Sequence, residues 1–171
     1  MKKKILIVTE RRADYSKFKP ILDEIKKSKS LSYVLIVTGS HLLKKHGYTI
    51  NEIKKDGFKI SDQFSMYGSN SLNNGAEMVK SFGKSVIKIT SLVEKYNPDI
   101  ILSGFDIGAN LAAAIVGAHM NKVVAHIEGG EVSGTIDESI RHAITKFAHL
   151  HFTTNLIASK RLVKMGENKK F

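Results

Sequence analysis

The sequence has no cysteine, no tryptophan and two prolines, and acids are outnumbered, 16 Asp+Glu against 27 Lys+Arg, for a formal net charge of +11. Without cysteine there is no disulfide framework, no Cys-x-x-Cys redox centre and no thiolate zinc site. No apolar run approaches the roughly 18 residues of a membrane-spanning helix. Lys2-Lys3-Lys4 precedes Ile5-Leu6-Ile7-Val8, but this run is too short for a secretory signal, and Thr9-Glu10-Arg11-Arg12 offers no small-residue cleavage site. The expectation is a buried first strand, a cytoplasmic location and no membrane partner. Arginine is scarce too, confined to Arg11, Arg12, Arg141 and Arg161. There is no arginine-rich recognition helix and no interleaving of bases with aromatics, so nucleic acid is not expected as a partner. The lysine excess predicts a solvated surface that attracts small anions. Gly-x-Gly-x-x-Gly, the P-loop pattern and the Gly-x-Ser-x-Gly elbow are all missing, which leaves a standard dinucleotide site, a P-loop and a serine-hydrolase site unsupported.

What is present is a 171-residue chain, 42% hydrophobic, long enough for one lobe with a substantial core. Apolar β-branched runs at residues 4–9, 33–38, 100–102 and 123–127 predict the main strands, with shorter strands at 63–66 and 151–154. Helical spacing predicts helices at 15–27, 78–96, 109–119, 136–148 and 156–165, and short ones at 41–45 and 50–55. Pro20 is expected near the first turn of its helix. The stripe Val79, Phe82, Val86, Ile89 and Val93 is expected to face the core. The run 68–75, Gly-Ser-Asn-Ser-Leu-Asn-Asn-Gly, reads as a mobile surface loop. Strands alternating with helices imply right-handed βαβ units, hence an α/β fold with a parallel sheet in a Rossmann-like three-layer lobe. Residues 165–171 follow the last helix with no further strand, and the protein is expected to be incomplete at that point.

In an open parallel sheet, ligands bind beyond the carboxyl ends of the strands, where helix N-termini converge. Four polar clusters fall there: Glu10 to Lys17, Gly39-Ser40-His41, Ser103-Gly104-Phe105-Asp106, and Glu128 to Asp137. Asp14 and Asp106 are equally readable as helix caps. Thr135-Ile136-Asp137-Glu138 reads as a capping box, and Asp137 with Arg141 as an i, i+4 ion pair. His126 and Glu128 would share one side of a strand, yet further metal ligands are not evident, so neither a metal nor a cofactor is expected. Gly129-Gly130 would allow a ligand to approach the backbone closely. Carboxylates grouped without a metal or a nucleophile suggest proton transfer, with Asp106, Glu128 and Asp137 dividing acid and base roles.

At these residues the sequence resembles the hydrolysing UDP-N-acetylglucosamine 2-epimerases of sialic-acid biosynthesis. The resembling segments are Arg12-Ala13-Asp14-Tyr15-Ser16-Lys17, Gly39-Ser40-His41-Leu42 and the long run from His126 to Lys146. The resemblance implies a two-domain glycosyltransferase-B-like enzyme, of which residues 1–171 would be the amino-terminal lobe; the nucleotide-binding carboxy-terminal lobe would be missing and the chain alone nearly inactive. It implies removal of the C2 proton, anti elimination of UDP and addition of water to give N-acetylmannosamine. Carried over by residue, Asp106, Glu128 and Asp137 are the acid/base candidates. Arg12, Asp14, Lys17, His41, His126, Glu131, Ser133, Arg141 and His142 are substrate-binding or supporting groups, with Arg141 or the helix start at 133–135 on phosphate. A UDP-sugar substrate and a homodimer are implied. Many members carry His-Gly-Asp-Arg where this chain has Gly104-Phe105-Asp106-Ile107. That departure keeps open the same chemistry on a UDP-diacetamido-trideoxyhexose of legionaminic-acid synthesis. A non-catalytic binding or dimerisation module is the other reading.

Overall fold

The computed structural model describes residues 2–68 and 74–169; most of the loop expected at 68–75 lies outside them. Among the described residues six parallel strands form one sheet: β1 (Lys3–Thr9), β2 (Leu31–Val37), β3 (Ile60–Gln63), β4 (Ile100–Gly104), β5 (Val123–Ile127) and β6 (Leu150–Phe152). Their spatial order is β3-β2-β1-β4-β5-β6. The chain steps outward from β1 to β3, returns through a long helix to β4, and then steps outward the other way. The β1/β4 boundary is therefore the switch point, where successive connections leave to opposite sides and a crevice opens.

Among the described residues six helices cover the sheet: α1 (Arg12–Lys27), α2 (Ile50–Lys55), α3 (Gly75–Tyr96), α4 (Gly108–His119), α5 (Ile136–Phe147) and α6 (Leu156–Lys164). Two 3₁₀ turns, Gly39–Leu42 and Lys44–His46, stand where one short helix was expected. Alternate residues serve opposite faces. Ile5, Ile7, Leu35 and Val37 pack with Phe18 and Leu22 of α1 and Ile53 of α2. Leu6, Val8, Ile36 and Ile101 pack with Ile89 of α3 and Ala112 and Ala113 of α4. Burying each such side chain contributes about 1.5–3 kcal/mol, and burial on both faces explains why the strands read as continuous apolar runs. The alanines of α4 let it lie close to the strands. Beyond α1, one face of the β4 side of the sheet carries an apolar groove of about 430 Å³, walled by Leu102, Ala125, Ile127 and Phe152.

Three local expectations are corrected. Pro20 lies inside α1, which starts at Arg12; both Pro20 and Ser16, whose carbonyl loses its N–H partner there, are exposed residues, so the lost bond falls on the solvent side of the helix. The short strand is Ile60–Gln63, not 63–66. Along α3 the expected stripe holds at Phe82, Val86, Ile89 and Val93, which pack on the core, but Val79 is 69% exposed, and Ser81 and Ser85 are buried beside the stripe. In the N-terminal half of this helix, small serines share the interface with Phe82 and Val86.

Candidate active-site cleft

The turn from β1 into α1 is held by its own side chains. Asp14, three residues after Arg11, accepts the N–H groups of Glu10 and Arg11, each at 2.8 Å, and the Thr9 hydroxyl at 3.2 Å. Asp14 is 2% exposed; burial raises its pKa to about 6 against the lowering effect of those N–H groups. Glu10 continues outward. One carboxylate oxygen accepts the Ala109 N–H at 3.0 Å, satisfying a free donor at the start of α4, and the other accepts the Tyr67 hydroxyl. Burial, together with Glu10, pushes the Tyr67 hydroxyl up.

Because Glu10 occupies that helix start, Asp106 is no cap. It lies between two guanidinium groups, Arg11 at 2.7 Å and Arg141 at 2.5 Å, so each of its oxygens carries a charge-assisted bond. Arg141 does not pair with Asp137; its second bond goes to the Glu131 carbonyl at 3.0 Å. The two arginines differ in exposure, with side-chain values of 46% for Arg11 and 8% for Arg141. Phe105, before Asp106, has φ +68, an αL conformation uncommon for a non-glycine residue. Its ring meets Phe18 edge to face at 5.1 Å, and Lys17 sits 4.8 Å above it.

Past β5, Glu128 also has positive φ, +63. This turns its carboxylate to the α1 side, where Lys17 holds it at 2.7 Å. His126 stays on the other face, fully buried, with Nδ1 3.1 Å from the Thr145 hydroxyl of α5. The two therefore do not share a side, which corrects the sequence reading. Burial lowers the His126 pKa to about 3. The adjacent glycines are required by the protein's own packing. A Cβ on Gly129 would lie 2.9 Å from His126 Nδ1, and one on Gly130 2.5 Å from the Ala158 carbonyl oxygen.

At the start of α5, Thr135 accepts the Asp137 N–H at 3.2 Å. Glu138 reaches past Thr135 to the N–H groups of Ser133 and Gly134, each at 2.9 Å, and these bonds hold its pKa low. The expected capping box is thus displaced by one residue, and the amides at 133–134 already bind an anion, the protein's own. No hydrogen bond or ion pair to the Asp137 carboxylate forms among the described residues. Among them, too, no cluster of three or more His, Asp or Glu could hold a metal ion.

These elements enclose a cleft of about 720 Å³ at the switch point. Glu10, Arg11, Tyr67, Asp106 and Asp137 give its polar wall; Phe82, Ile107, Leu111 and Ile140 are among its apolar residues. Asp106 and Asp137 thus face one space. Glu128 and Lys17 pair on the same sheet edge outside it. Arg12 points to Glu52 at 3.8 Å. Glu131 is tied to Asn155 at 2.8 Å and to Thr154, while His142 lies 3.7 Å from Glu138. His41 and Asp14 are buried beneath the first turn. Glu10 and Arg11 fell in the first polar cluster of the sequence without a role of their own, and Tyr67 escaped the sequence reading. Arg11 had a signal, since an acid at position 14 marks residue 11 as the helix N-cap; Tyr67 had none.

An all-parallel, doubly wound lobe with carboxylates and arginines at its switch point defines a Rossmann-like α/β protein. Solved structures share the fold. The Neisseria meningitidis UDP-GlcNAc 2-epimerase bound to UDP-GlcNAc matches with TM-score 0.85 at 17% identity, over 98% of this chain and 44% of that one. The Methanocaldococcus jannaschii enzyme in complex with UDP-GlcNAc and UDP matches at TM-score 0.81 and 22% identity, over 99% of this chain and 45% of that one. Among curated proteins, the UDP-N,N'-diacetylbacillosamine 2-epimerase (hydrolyzing) of Legionella pneumophila is 39% identical over 99% of this chain and 44% of its own length. The UDP-N-acetylglucosamine 2-epimerase of N. meningitidis serogroup B is 40% identical over 98% of this chain and 43% of its own length. The UDP-N-acetylglucosamine 2-epimerase family matches residues 23–171, and the chain belongs to that family. It spans under half the length of these relatives.

Proposed function

We propose that the chain is the amino-terminal lobe of a hydrolysing nucleotide-sugar 2-epimerase that converts UDP-N-acetylglucosamine and water to N-acetylmannosamine and UDP. The observation that carries the reading is the pairing of two carboxylates in one cleft. Asp137 has open lone pairs, and Asp106 is held between two guanidinium groups. A carboxylate takes the C2 proton, the C1–O bond breaks with its electrons leaving on UDP, and a C1–C2 double bond forms. Water then supplies hydroxyl to C1 while an acid returns a proton to C2. Asp137 suits the accepting role, because a base must have a free lone pair within reach of the proton. Asp106, with Arg141 as its cationic partner, is the second acid/base group of the cleft, and Glu128, held by Lys17 on the same sheet edge outside it, is the third candidate. The half-exposed Arg11 at the cleft mouth offers charge to the departing diphosphate. The proposal includes a second lobe, a homodimer and a cytoplasmic location.

The same chemistry on a UDP-diacetamido-trideoxyhexose is the second reading. Ile107 stands in the cleft wall beside Leu111 and Ile140, and an apolar wall suits a deoxy sugar better than one with a hydroxyl at that edge. UDP release by the full-length protein, measured with both nucleotide sugars, tests the proposal and ranks the substrates. Release from neither would overturn it.

A further inference from the structure

We propose that His41 is a positioning residue: through Thr9 and Asp14 it fixes the Glu10-Arg11 turn, which carries two charged side chains of the cleft. The inference rests on the function proposed above.

His41 and Thr9 are fully buried, so the protons on their bonds can be counted. Asp14 accepts the Arg11 N–H on Oδ1 and the Glu10 N–H on Oδ2. Thr9 gives its single hydroxyl proton to Asp14 Oδ2 at 3.2 Å. Its oxygen, 3.0 Å from His41 Nε2, can then only accept. The His41 proton must therefore sit on Nε2. Nδ1 is left bare and takes the Thr49 hydroxyl proton at 2.7 Å. Burial favours this neutral form, lowering the His41 pKa to about 4.

The result is a relay of hydrogen bonds, all in one direction, from the start of α2 to the turn after β1. Its far end is functional. The backbone of residues 10 and 11 sets where the Glu10 carboxylate meets Ala109 and where the Arg11 guanidinium meets Asp106. The turn containing His41 is pressed onto Glu10 as well. Ser40 donates to the Glu10 carbonyl at 3.1 Å, and a Cβ on Gly39, whose φ is +63, would lie 2.5 Å from that oxygen. Breaking the relay leaves a buried hydroxyl or carboxylate short of a partner, and the turn relaxes to satisfy it.

The test uses the full-length protein. At pH 8 the imidazole ¹⁵N spectrum should show His41 protonated on Nε2. Thr9→Val, which keeps the shape and removes the hydroxyl, should lower kcat for UDP release about tenfold or more, with KM changed less than about threefold. His41→Leu should do the same, and His41→Gln, whose amide N–H can stand in for Nε2–H, should recover most of the loss. An Nδ1-protonated His41, a Thr9→Val variant with wild-type kcat, or a His41→Gln as impaired as His41→Leu would each overturn the proposal. If His41→Leu does not fold, Thr9→Val and the tautomer decide. If the wild-type protein releases no UDP, the proposed function fails, yet the tautomer still tests the relay.

Discussion

Arg11 and Asp106, 95 residues apart in the chain, meet at 2.7 Å across the β1/β4 switch point. Arg141 holds the other oxygen of the same carboxylate from α5. One arginine is half exposed and the other nearly buried, so their removal should differ. Arg11→Ala should change stability by less than about 1 kcal/mol. Arg141→Ala strips a buried partner from both Asp106 and the Glu131 carbonyl and should cost about 3 kcal/mol. Urea unfolding of the two variants measures the difference.

The carboxylates of the cleft should separate activity from stability. Asp137 has no carboxylate partner to lose among the described residues, so Asp137→Asn should leave the thermal midpoint within about 2 °C. It should lower UDP release by the full-length protein about 10²–10⁴-fold. Asp106→Asn should cost comparable activity and also lower the midpoint, because both guanidinium groups lose a charged acceptor. Paired melting curves and initial rates check this.

Acid should destabilise the lobe. His126 and His41 hold pKa values of about 3 and about 4, below the ordinary 6.5. The unfolded chain therefore binds those protons first, and stability falls as pH drops through that window. Asp14, raised from 3.8 to about 6, works the other way: its folded form protonates first and gains stability as pH falls from about 6 to 3.8. Two histidines outweigh one carboxyl, so the net loss between pH 6.5 and 4 should be on the order of a few kcal/mol. Chemical denaturation at stepped pH measures it, and His126→Gln should flatten the slope.

Gly39→Ala should damage the first loop from a distance. The residue has φ +63, and a Cβ there would press on the Glu10 carbonyl oxygen. A strained αL backbone together with a displaced Glu10-Arg11 turn should cost roughly 1–3 kcal/mol. Activity should fall further than the melting shift alone explains. Thermal melts and UDP release measured on one preparation would show it.

The fold was legible because the main strands are buried on both faces and helices such as α1 and α5 announce their period. Residues 50–55 and 123–127 come out with the bounds expected of them. Pro20 misled because propensity cannot see that it falls on the exposed side of α1. The edge on which the polar clusters gather followed from strand polarity alone. What each side chain does there did not. Positive φ at Phe105 and Glu128 redirects both exits, and no residue letter signals αL at a phenylalanine or a glutamate. Asp106 read equally as cap or acid until Glu10, from 99 residues away, proved to hold the Ala109 N–H.

The central claim is that the cleft between Asp106 and Asp137 removes the C2 proton of a bound nucleotide sugar. Running the full-length protein in D₂O with UDP-N-acetylglucosamine or the diacetamido-trideoxyhexose nucleotide tests it most directly. UDP release followed by ³¹P NMR should be accompanied by deuterium at C2 of the freed sugar in the proton spectrum. UDP released with the C2 proton fully retained would contradict the claim.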